Sequence, residues 1–246
     1  MSRPSLDILL QSLRLSSMQS SYRDILKKAQ SEQWSYEYFL QILVEEEVEE
    51  RRKRKIQRLL TVSALPDGKT LEMLNKNVLP QKVRAVLSEL TSGSFVERAE
   101  NVLIFGLPGR GKTHLAAAIG RELIVNHERS VLFTKTFSLV QKLLRAKKEL
   151  QIEKELSRLD KFDVVILDDI GYVQQSREEM EILFTFLAER YERKSLIITS
   201  NLVFSKWDGI FKDPMTTAAA IDRLVHHSVI LEMTGESQRK PPVKNP

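Results

Sequence analysis

The feature that most constrains the fold of this chain is a glycine-rich segment of eight residues, Gly106–Thr113, with the sequence GLPGRGKT. It matches the pattern G-x-x-x-x-G-K-[ST] without a mismatch, and it lies between a strand-like apolar run, Val102–Phe105, and a helical stretch, Thr113–Val125. Glycines allow the backbone to pass close around a polyphosphate and to direct N–H groups towards it. The segment therefore predicts a loop that binds the phosphates of a nucleoside triphosphate at the start of a helix.

The residues of this loop have separate predicted roles. We expect ATP to contact the whole motif and the histidine that follows it: Gly106, Leu107, Pro108, Gly109, Arg110, Gly111, Lys112, Thr113 and His114. The Lys112 ammonium would reach the β- and γ-phosphates and take part in catalysis, while the Thr113 hydroxyl would bind Mg²⁺. The alternative, a glycine-rich turn that binds nothing, is disfavoured by the strand and the helix on its two sides.

Strand-like and helical segments alternate from residue 101 onwards. The strand-like runs are Val102–Phe105, Val131–Thr134, Val164–Leu167, Leu196–Thr199 and Val229–Leu231. This alternation predicts the α/β class, with a parallel sheet flanked by helices. We expect this domain to cover residues 101–235 and to be followed by a basic, polar tail at 236–246.

The first 68 residues have helical apolar spacing and predict a small all-α domain that contacts a partner or other subunits. Residues 69–100 then form a linker and a lead-in helix. The longest predicted helix contains the run EEEVEERRKRK at residues 45–55. There Glu47 precedes Arg51 by four residues, a spacing that stabilises helices. The pattern favours a solvated, ion-paired face over a basic face that contacts DNA.

Composition excludes several kinds of chemistry. Cysteine is absent, which rules out disulfides and thiolate catalysis, and the histidines (His114, His127, His226 and His227) do not have metal-ligand spacing. The N-terminus does not resemble a signal peptide, and no apolar run approaches membrane-spanning length. We therefore expect a cytoplasmic protein without a membrane partner. The net charge of +5 permits a polyanionic partner without requiring one.

Acidic and polar residues end two of the predicted strands. Asp168 and Asp169 follow an apolar run, which places their carboxylates at the carboxyl edge of the sheet, beside the glycine loop. Asp168 would hold Mg²⁺ through water, and Asp169 would act as the general base for the attacking water. Two adjacent acids could instead cap the next helix. Asn201, or alternatively Thr199, would orient the water from the following strand.

Two arginines near the C-terminus are candidates for contacts with the γ-phosphate. Arg223 lies in the helical segment AAAIDRLVHH and would act in trans on the nucleotide of a neighbouring subunit. A surface ion pair with Asp222 explains it equally well. Arg239 would be a second phosphate sensor, although a basic tail residue is the simpler interpretation.

The motifs GLPGRGKTH, VVILDDIG, IITSN, AIDRL and GESQR occur in this order. Together they resemble those of the AAA+ ATPases of the initiator and helicase-loader group. The chain is similar, more narrowly, to the IstB-like transposition helper ATPases, which are close relatives of the DnaC-type loaders. The resemblance covers essentially the whole chain. Its N-terminal part, from LDILLQSLRLSSMQSSY onwards, resembles the helical domain that those helpers carry.

The resemblance implies a DNA-binding ATPase that forms homo-oligomers on duplex DNA, remodels it and recruits or stimulates a transposase. It assigns nucleotide and Mg²⁺ binding to Lys112, Thr113 and Asp168, the sensor role to Asn201, and the trans-acting and second-sensor roles to Arg223 and Arg239. Many members have Asp-Glu where this chain has two aspartates, so we expect slow hydrolysis that DNA or a partner stimulates. A replicative helicase loader and an ATP-switched DNA-architectural protein remain as alternatives.

The segment between the second and third strands is longer than one crossover helix requires. In the initiator group an additional helix at this place faces the bound nucleic acid. Its basic residues here are Lys135, Lys142, Arg145, Lys147 and Lys148, and we expect them to contact the backbone of duplex DNA with little sequence specificity. A solvated face is the competing interpretation, because Glu149, Glu153 and Glu155 lie close by.

Overall fold

The computed structural model describes residues 4–171, 176–202, 222 and 224–234. The chain divides into two compact units, the first ending at Arg58 and the second beginning at Leu59. The elements are α1 (Leu6–Ser12), α2 (Ser16–Ser31), α3 (Tyr36–Ser63), a 3₁₀ turn (Lys76–Val78), α4 (Gln81–Ser92), α5 (Ser94–Glu97), β1 (Asn101–Phe105), α6 (Lys112–His127), β2 (Val131–Lys135), α7 (Thr136–Lys148), α8 (Ile152–Asp160), β3 (Val164–Ile170), α9 (Arg177–Arg190), β4 (Ser195–Ser200) and β5 (Ser228–Glu232).

In the first unit, a glutamate on α3 caps the beginning of α2. The first turn of a helix leaves backbone N–H groups without intrahelical partners, and Leu15 at the N-cap of α2 supplies no side-chain hydrogen bond. The Glu47 carboxylate instead accepts from the N–H groups of Ser17 at 2.8 Å and Met18 at 3.1 Å. It also accepts from Arg51 Nε at 2.7 Å, which is the expected pair at i,i+4 spacing. Glu47 is buried, so these contacts hold α2 and α3 together.

The five strands of the second unit form one parallel sheet in the order β2-β3-β4-β1-β5. Each strand is followed by at least one helix where the structure describes its connection, as parallel pairing requires. The predicted parallel α/β sheet with flanking helices is confirmed. The predicted helical segment AAAIDRLVHH, residues 218–227, lies partly outside the described residues.

Both faces of the sheet are covered. On one face, Leu103, Val165 and Ile198 belong to a buried cluster with apolar residues of α7 and α9. On the other face α6 packs against the sheet so closely that a Cβ atom on Gly120 would lie 2.7 Å from Ile166 Cδ1. Such burial on two faces explains why the strands read as continuous apolar runs.

A buried arginine fastens the connection before β3. The Arg190 guanidinium donates to the carbonyl oxygens of Leu159, Phe162, Asp163 and Ser195 at 3.0–3.2 Å. Burial lowers the pKa of Arg190 to about 10, although the charges of Asp160 and Asp163 act to raise it. The arginine still carries its charge at neutral pH and ties α8, β3 and β4 at the end of the sheet remote from the glycine loop. None of the described helices has the length and apolar character needed to cross a membrane.

Replacing Glu47 by Gln is expected to destabilise the first unit in a pH-dependent way. Burial acts to raise the Glu47 pKa, but the hydrogen bonds from Arg51, Met18 and Ser17 lower it below the ordinary 4.5. The charged carboxylate therefore stabilises the fold above the unfolded-state pKa, and this contribution is lost as the pH falls through the lowered folded-state value. We expect a loss of about 1–3 kcal/mol at neutral pH in urea unfolding followed by circular dichroism.

The matched control is Glu49→Gln. Glu49 is exposed and its carboxylate lies 3.9 Å from the Arg52 guanidinium, so its replacement should change the unfolding free energy by less than about 1 kcal/mol. Equal losses for the two variants, or a Glu47→Gln loss that persists unchanged at acidic pH, would contradict the capping role.

Candidate nucleotide-binding site

The glycine loop connects the end of β1 to the start of α6. Gly106, Gly109 and Gly111 have φ angles of 151°, 82° and 81°, which favour glycine. The helix begins at Lys112, directly after the loop. Its first N–H groups and the loop backbone together provide the setting in which helix N-termini bind phosphate. The structure thus places the predicted ATP-binding residues Gly106 to Thr113 on one strand–loop–helix unit.

Gly106 is required by a close approach of the segment that follows β5. A Cβ atom at Gly106 would lie 2.5 Å from the carbonyl oxygen of Met233 and 2.9 Å from its Cβ atom. Met233 N–H donates to Phe105 O at 2.7 Å, and Arg110 Nη1 donates to Met233 O at 3.2 Å. The chain leaving β5 is therefore in direct contact with the loop. The sequence motif did not indicate this contact.

The Lys112 side chain is held between the loop and the end of β4. It is 5% exposed, and its ammonium donates to Leu107 O at 3.0 Å and to Asn201 Oδ1. Asn201 is the residue expected to act as the sensor. The structure brings it to the lysine although 89 residues separate the two in the chain.

Asp168 joins three elements through its own oxygen atoms. Its Oδ1 atom accepts from the hydroxyls of Thr113 at 2.9 Å and Thr199 at 2.7 Å. Its backbone carbonyl accepts from the Thr136 hydroxyl at 3.0 Å. A carboxylate and a hydroxyl in direct contact are hard oxygen donors of the kind that Mg²⁺ selects, so Thr113 and Asp168 fit the ion expected from the sequence.

A shift in the pairing of β3 with β4 changes the direction of the Asp169 side chain. The pairing of β3 with β4 shifts register between Leu167 and Ile170, and Asp169 has a φ angle of 57°. Bulges of this kind re-aim side chains near active sites. Asp169 is exposed, and Asn201 Nδ2 lies 3.4 Å from its Oδ1 atom. One amide side chain thereby contacts both Lys112 and Asp169.

Thr199 was the alternative candidate for orienting the attacking water, and its hydroxyl contacts both aspartates. Its hydroxyl donates to Asp168 and accepts from the backbone N–H of Asp169 at 2.9 Å. Both its proton and an acceptor position are engaged in holding the two aspartates. Of the two residues considered for orienting water, Asn201 is therefore the one whose amide contacts Lys112 and Asp169.

A segment before α4 also reaches the loop helix. His114 Nε2 lies 2.9 Å from the carbonyl oxygen of Thr70. His114, which we expect to contact ATP, makes this hydrogen bond to a part of the chain assigned to a linker. The sequence carries no signal for this contact. Arg223 and Arg239, the two arginines expected near the γ-phosphate, lie outside the described residues.

The predicted DNA-contacting residues lie on or beside α7 and are exposed: Lys135, Lys142, Arg145, Lys147 and Lys148. The groove between α7 and α8 is lined by five basic side chains, of which Lys154, Arg158 and Lys161 belong to α8 or follow it, and by two acidic ones. Lys142 Nζ lies 3.0 Å from Glu155. Burial acts to raise the Glu155 pKa, but hydrogen bonds from Arg158 and Lys142 lower it. The groove keeps a net positive charge after this pairing.

Comparisons with known proteins agree on one family. The family described as IstB-like ATP binding protein matches residues 8–244. The insertion-sequence ATP-binding protein y4iQ/y4nD/y4sD of Sinorhizobium fredii is 45% identical over 236 residues, which cover 96% of this chain and 79% of that protein. The ATP-binding protein of insertion sequence IS21 from Pseudomonas aeruginosa is 38% identical over 234 residues, covering 95% of this chain and 88% of that protein.

The fold also has solved counterparts. The crystal structure of the DnaC helicase loader superposes with a TM-score of 0.60 and 19% sequence identity, and the match covers 68% of this chain and 98% of that one. At this identity the likeness shows the fold alone.

Replacing Gly106 by Ala is expected to lower both stability and affinity for ATP. The new Cβ atom would overlap Met233 O, and relieving this overlap requires the loop or the segment after β5 to move. We expect a loss of about 1–3 kcal/mol in unfolding free energy, as for other overpacked sites. A weaker dissociation constant for ATP should accompany it, measured by calorimetric titration.

Gly68→Ala provides the control. Gly68 also has a positive φ angle, 69°, but the nearest atom to an added Cβ is Met73 Sδ at 3.8 Å. This variant should lose only the strain of the left-handed backbone, about 1–2 kcal/mol, and should bind ATP normally. Unchanged ATP affinity in Gly106→Ala would show that the contact with Met233 does not shape the loop.

Proposed function

This chain belongs to the family of IstB-like ATP-binding proteins, and from that premise we propose that it hydrolyses ATP and uses the nucleotide to assemble on duplex DNA beside a transposase. The observation that carries the proposal is the hydrogen-bonded set at the carboxyl edge of the sheet. There Lys112 and Thr113 from the loop helix meet Asp168 and Asp169 from β3 and Asn201, the residue directly after β4.

This arrangement supports hydrolysis as well as binding. The glycine loop and Lys112 would hold the β- and γ-phosphates, and Mg²⁺ held by Thr113 and Asp168 would neutralise phosphate charge. Asp169, exposed at the same edge, would accept the proton of the attacking water, and Asn201 would fix the position of that water. Aspartate is one methylene shorter than glutamate, so Asp169 would hold the water farther from the phosphorus atom. Slow turnover that DNA or a partner stimulates follows from this.

Assembly requires a group that connects subunits. Arg223 would enter the nucleotide site of a neighbouring copy, so that ATP bridges two subunits and nucleotide binding favours oligomers. Arg239 would sense the γ-phosphate within its own subunit. Support for the second assignment comes from the position of the segment after β5, since Met233 lies against the glycine loop and Arg239 follows six residues later.

The proposed DNA-binding surface is the basic groove between α7 and α8 together with the exposed Lys147 and Lys148 at the end of α7. Its lysines and arginines are exposed and not interleaved with aromatic side chains, which suits contacts with the phosphates of a duplex better than base stacking. The relatives are proteins of insertion sequences, which move through a transposase, and they match this chain over its N-terminal helices as well. That coverage favours a transposase as the partner.

A replicative helicase loader is the second candidate, and the likeness to the DnaC fold is the observation that favours it. The two differ in the partner that the N-terminal unit binds. Affinity capture with the purified chain, offered a transposase and a replicative helicase separately, distinguishes them. Retention of the helicase but not of the transposase would show that the chain is a helicase loader and not a transposition protein.

Asp169→Asn is expected to reduce hydrolysis without reducing ATP binding. The amide cannot accept the proton of the attacking water, so the single-turnover rate with Mg²⁺, ATP and duplex DNA should fall by about 100-fold or more. The dissociation constant for ATP should stay within a few-fold. Asp24→Asn, on an exposed aspartate of α2, is the control and should have the wild-type rate.

The single-turnover hydrolysis rates test both the role of Asp169 and the assignment of the protein as an ATPase. If Asp169→Asn hydrolyses ATP as fast as the wild type, Asp169 is not the base. If the wild type shows no single-turnover hydrolysis even with DNA and a transposase present, the protein is an ATP-switched DNA-architectural protein and not an ATPase.

Reversing the charge of Lys147 and Lys148 to Glu is expected to weaken DNA binding on any sequence. Two unrelated duplexes should lose affinity equally, by about tenfold or more, and the salt dependence should become shallower by about one unit per lost phosphate contact. Fluorescence anisotropy with a non-hydrolysable ATP analogue measures both quantities. The control, Lys82→Glu with Arg84→Glu, makes the same charge change on exposed positions of α4. A loss confined to one duplex, or shared by the control, would remove the backbone-contact interpretation.

A further inference from the structure

Three potential metal ligands lie together at the edge of the sheet opposite the glycine loop. Glu192 belongs to the turn between α9 and β4, and His226 and His227 directly precede β5. Their ligand atoms all lie within 4.8 Å of one another, and all three residues are exposed. Spacing along the chain gives no metal-ligand pattern for the histidines, because the third residue of the cluster comes from a distant segment. Folding therefore creates a cluster that the sequence did not show.

The backbone around this cluster is held by a buried asparagine at the start of β1. Asn101 is 6% exposed, and its side chain donates to Leu224 O at 3.3 Å and accepts from the N–H of Leu196 at 3.0 Å. Its own N–H donates to His227 O at 2.8 Å. Asn101 thus ties the segment that carries the histidines to the strand that follows Glu192. A bound ion would not have to bring these segments together.

The distances suit a tetrahedral ion with nitrogen and oxygen ligands. His227 Nε2 lies 3.6 Å from Glu192 Oε1. Bonds of about 2.0–2.1 Å place two ligand atoms of a tetrahedral Zn²⁺ ion about 3.3 Å apart. The wider separations in the cluster, up to 4.8 Å, can close through rotation of the exposed side chains.

A fourth carboxylate or imidazole is not needed. Glu100 is close enough to His227 for the histidine charge to act on its pKa, but both Glu100 oxygens accept from the Arg98 guanidinium at 2.8 Å. The cluster therefore offers three protein ligands, and water would complete the tetrahedron.

An ion pair between Glu192 and His227 explains the cluster less well. Such a pair requires a protonated His227 and uses only one of the two histidines. The His226 ring lies beside the His227 ring, with centroids 4.4 Å apart, and protonation of both would bring like charges together beside one carboxylate. Neutral imidazoles that bind one divalent cation account for both rings without this repulsion.

We propose that Glu192, His226 and His227 bind a transition-metal dication, of which Zn²⁺ fits best. Imidazole suits Zn²⁺ and related ions, whereas Mg²⁺ prefers oxygen ligands such as those of Thr113 and Asp168. Bound Zn²⁺ joins the turn before β4 to the residues before β5. It stabilises the folded chain, because the unfolded chain does not bring these ligands together. Binding requires neither ATP nor DNA.

The first test is calorimetric titration of the full, untagged chain with Zn²⁺, in excess Mg²⁺ and without nucleotide. One ion should bind per chain. Glu192→Gln, His226→Ala and His227→Ala each remove a direct ligand, so each should weaken binding by at least the roughly tenfold that loss of an outer-shell partner costs. His127→Ala, which removes an exposed histidine bonded to Thr91 O, is the control and should bind normally. No binding of Zn²⁺, or equal affinity in all four variants, would overturn the proposal.

The second test measures coordination and stability. Co²⁺ in place of Zn²⁺ should give the intense visible absorption of a tetrahedral ion. Zn²⁺ at about a hundredfold over its dissociation constant should raise the midpoint of thermal unfolding by about 5 °C or more. A chelator should reverse both effects, and the double variant His226→Ala, His227→Ala should show neither, while unfolding without metal at the wild-type temperature. A pale octahedral Co²⁺ spectrum, or a midpoint that Zn²⁺ leaves unchanged or raises equally in the double variant, would show adventitious binding only and contradict the site.

Discussion

The geometry of the candidate nucleotide-binding site depends on the hydrogen bonds that Asp168 accepts. A single carboxylate oxygen receives the hydroxyls of Thr113 from α6 and Thr199 from β4. Because the side chain is 5% exposed, these bonds replace water that the charged group would otherwise need. Thr199 in turn holds the N–H of Asp169, at the point where β3 leaves its register with β4. The position of Asp169, the proposed base, therefore depends on Asp168, the proposed Mg²⁺ ligand.

The sequence was sufficient for the parts of this account that rest on local pattern. The glycine motif, the alternation of strands and helices, and the acidic strand end each predict a feature that lies within about ten residues of chain. Contacts between distant segments were not predictable in the same way. Thr199 reaching Asp168, Met233 covering Gly106 and Thr70 reaching His114 join residues that are 31, 127 and 44 positions apart. Spacing within one element carries no information about them.

Contact between the loop and the segment after β5 would connect nucleotide binding to the proposed subunit assembly. Phosphates in the loop would lie against its backbone, and two residues of the loop are close to Met233: Gly106, and Arg110 through its guanidinium. Arg223 and Arg239, the two arginines proposed to contact phosphate, precede and follow β5 in the sequence. Binding of ATP and binding of a neighbouring subunit would then be thermodynamically coupled, and each should raise the affinity of the chain for the other. DNA held in the α7–α8 groove would add a common scaffold to the same equilibrium.

The most direct test of the central claim is sedimentation of the chain with duplex DNA, with and without a non-hydrolysable ATP analogue, for the wild type and Arg223→Ala. Asp222→Ala, a change at the neighbouring exposed residue, provides the control. Large assemblies are expected only when nucleotide, DNA and Arg223 are all present, and the control should assemble normally. A monomer under every condition, or large assemblies that form equally well with Arg223→Ala, would contradict ATP-driven assembly on DNA.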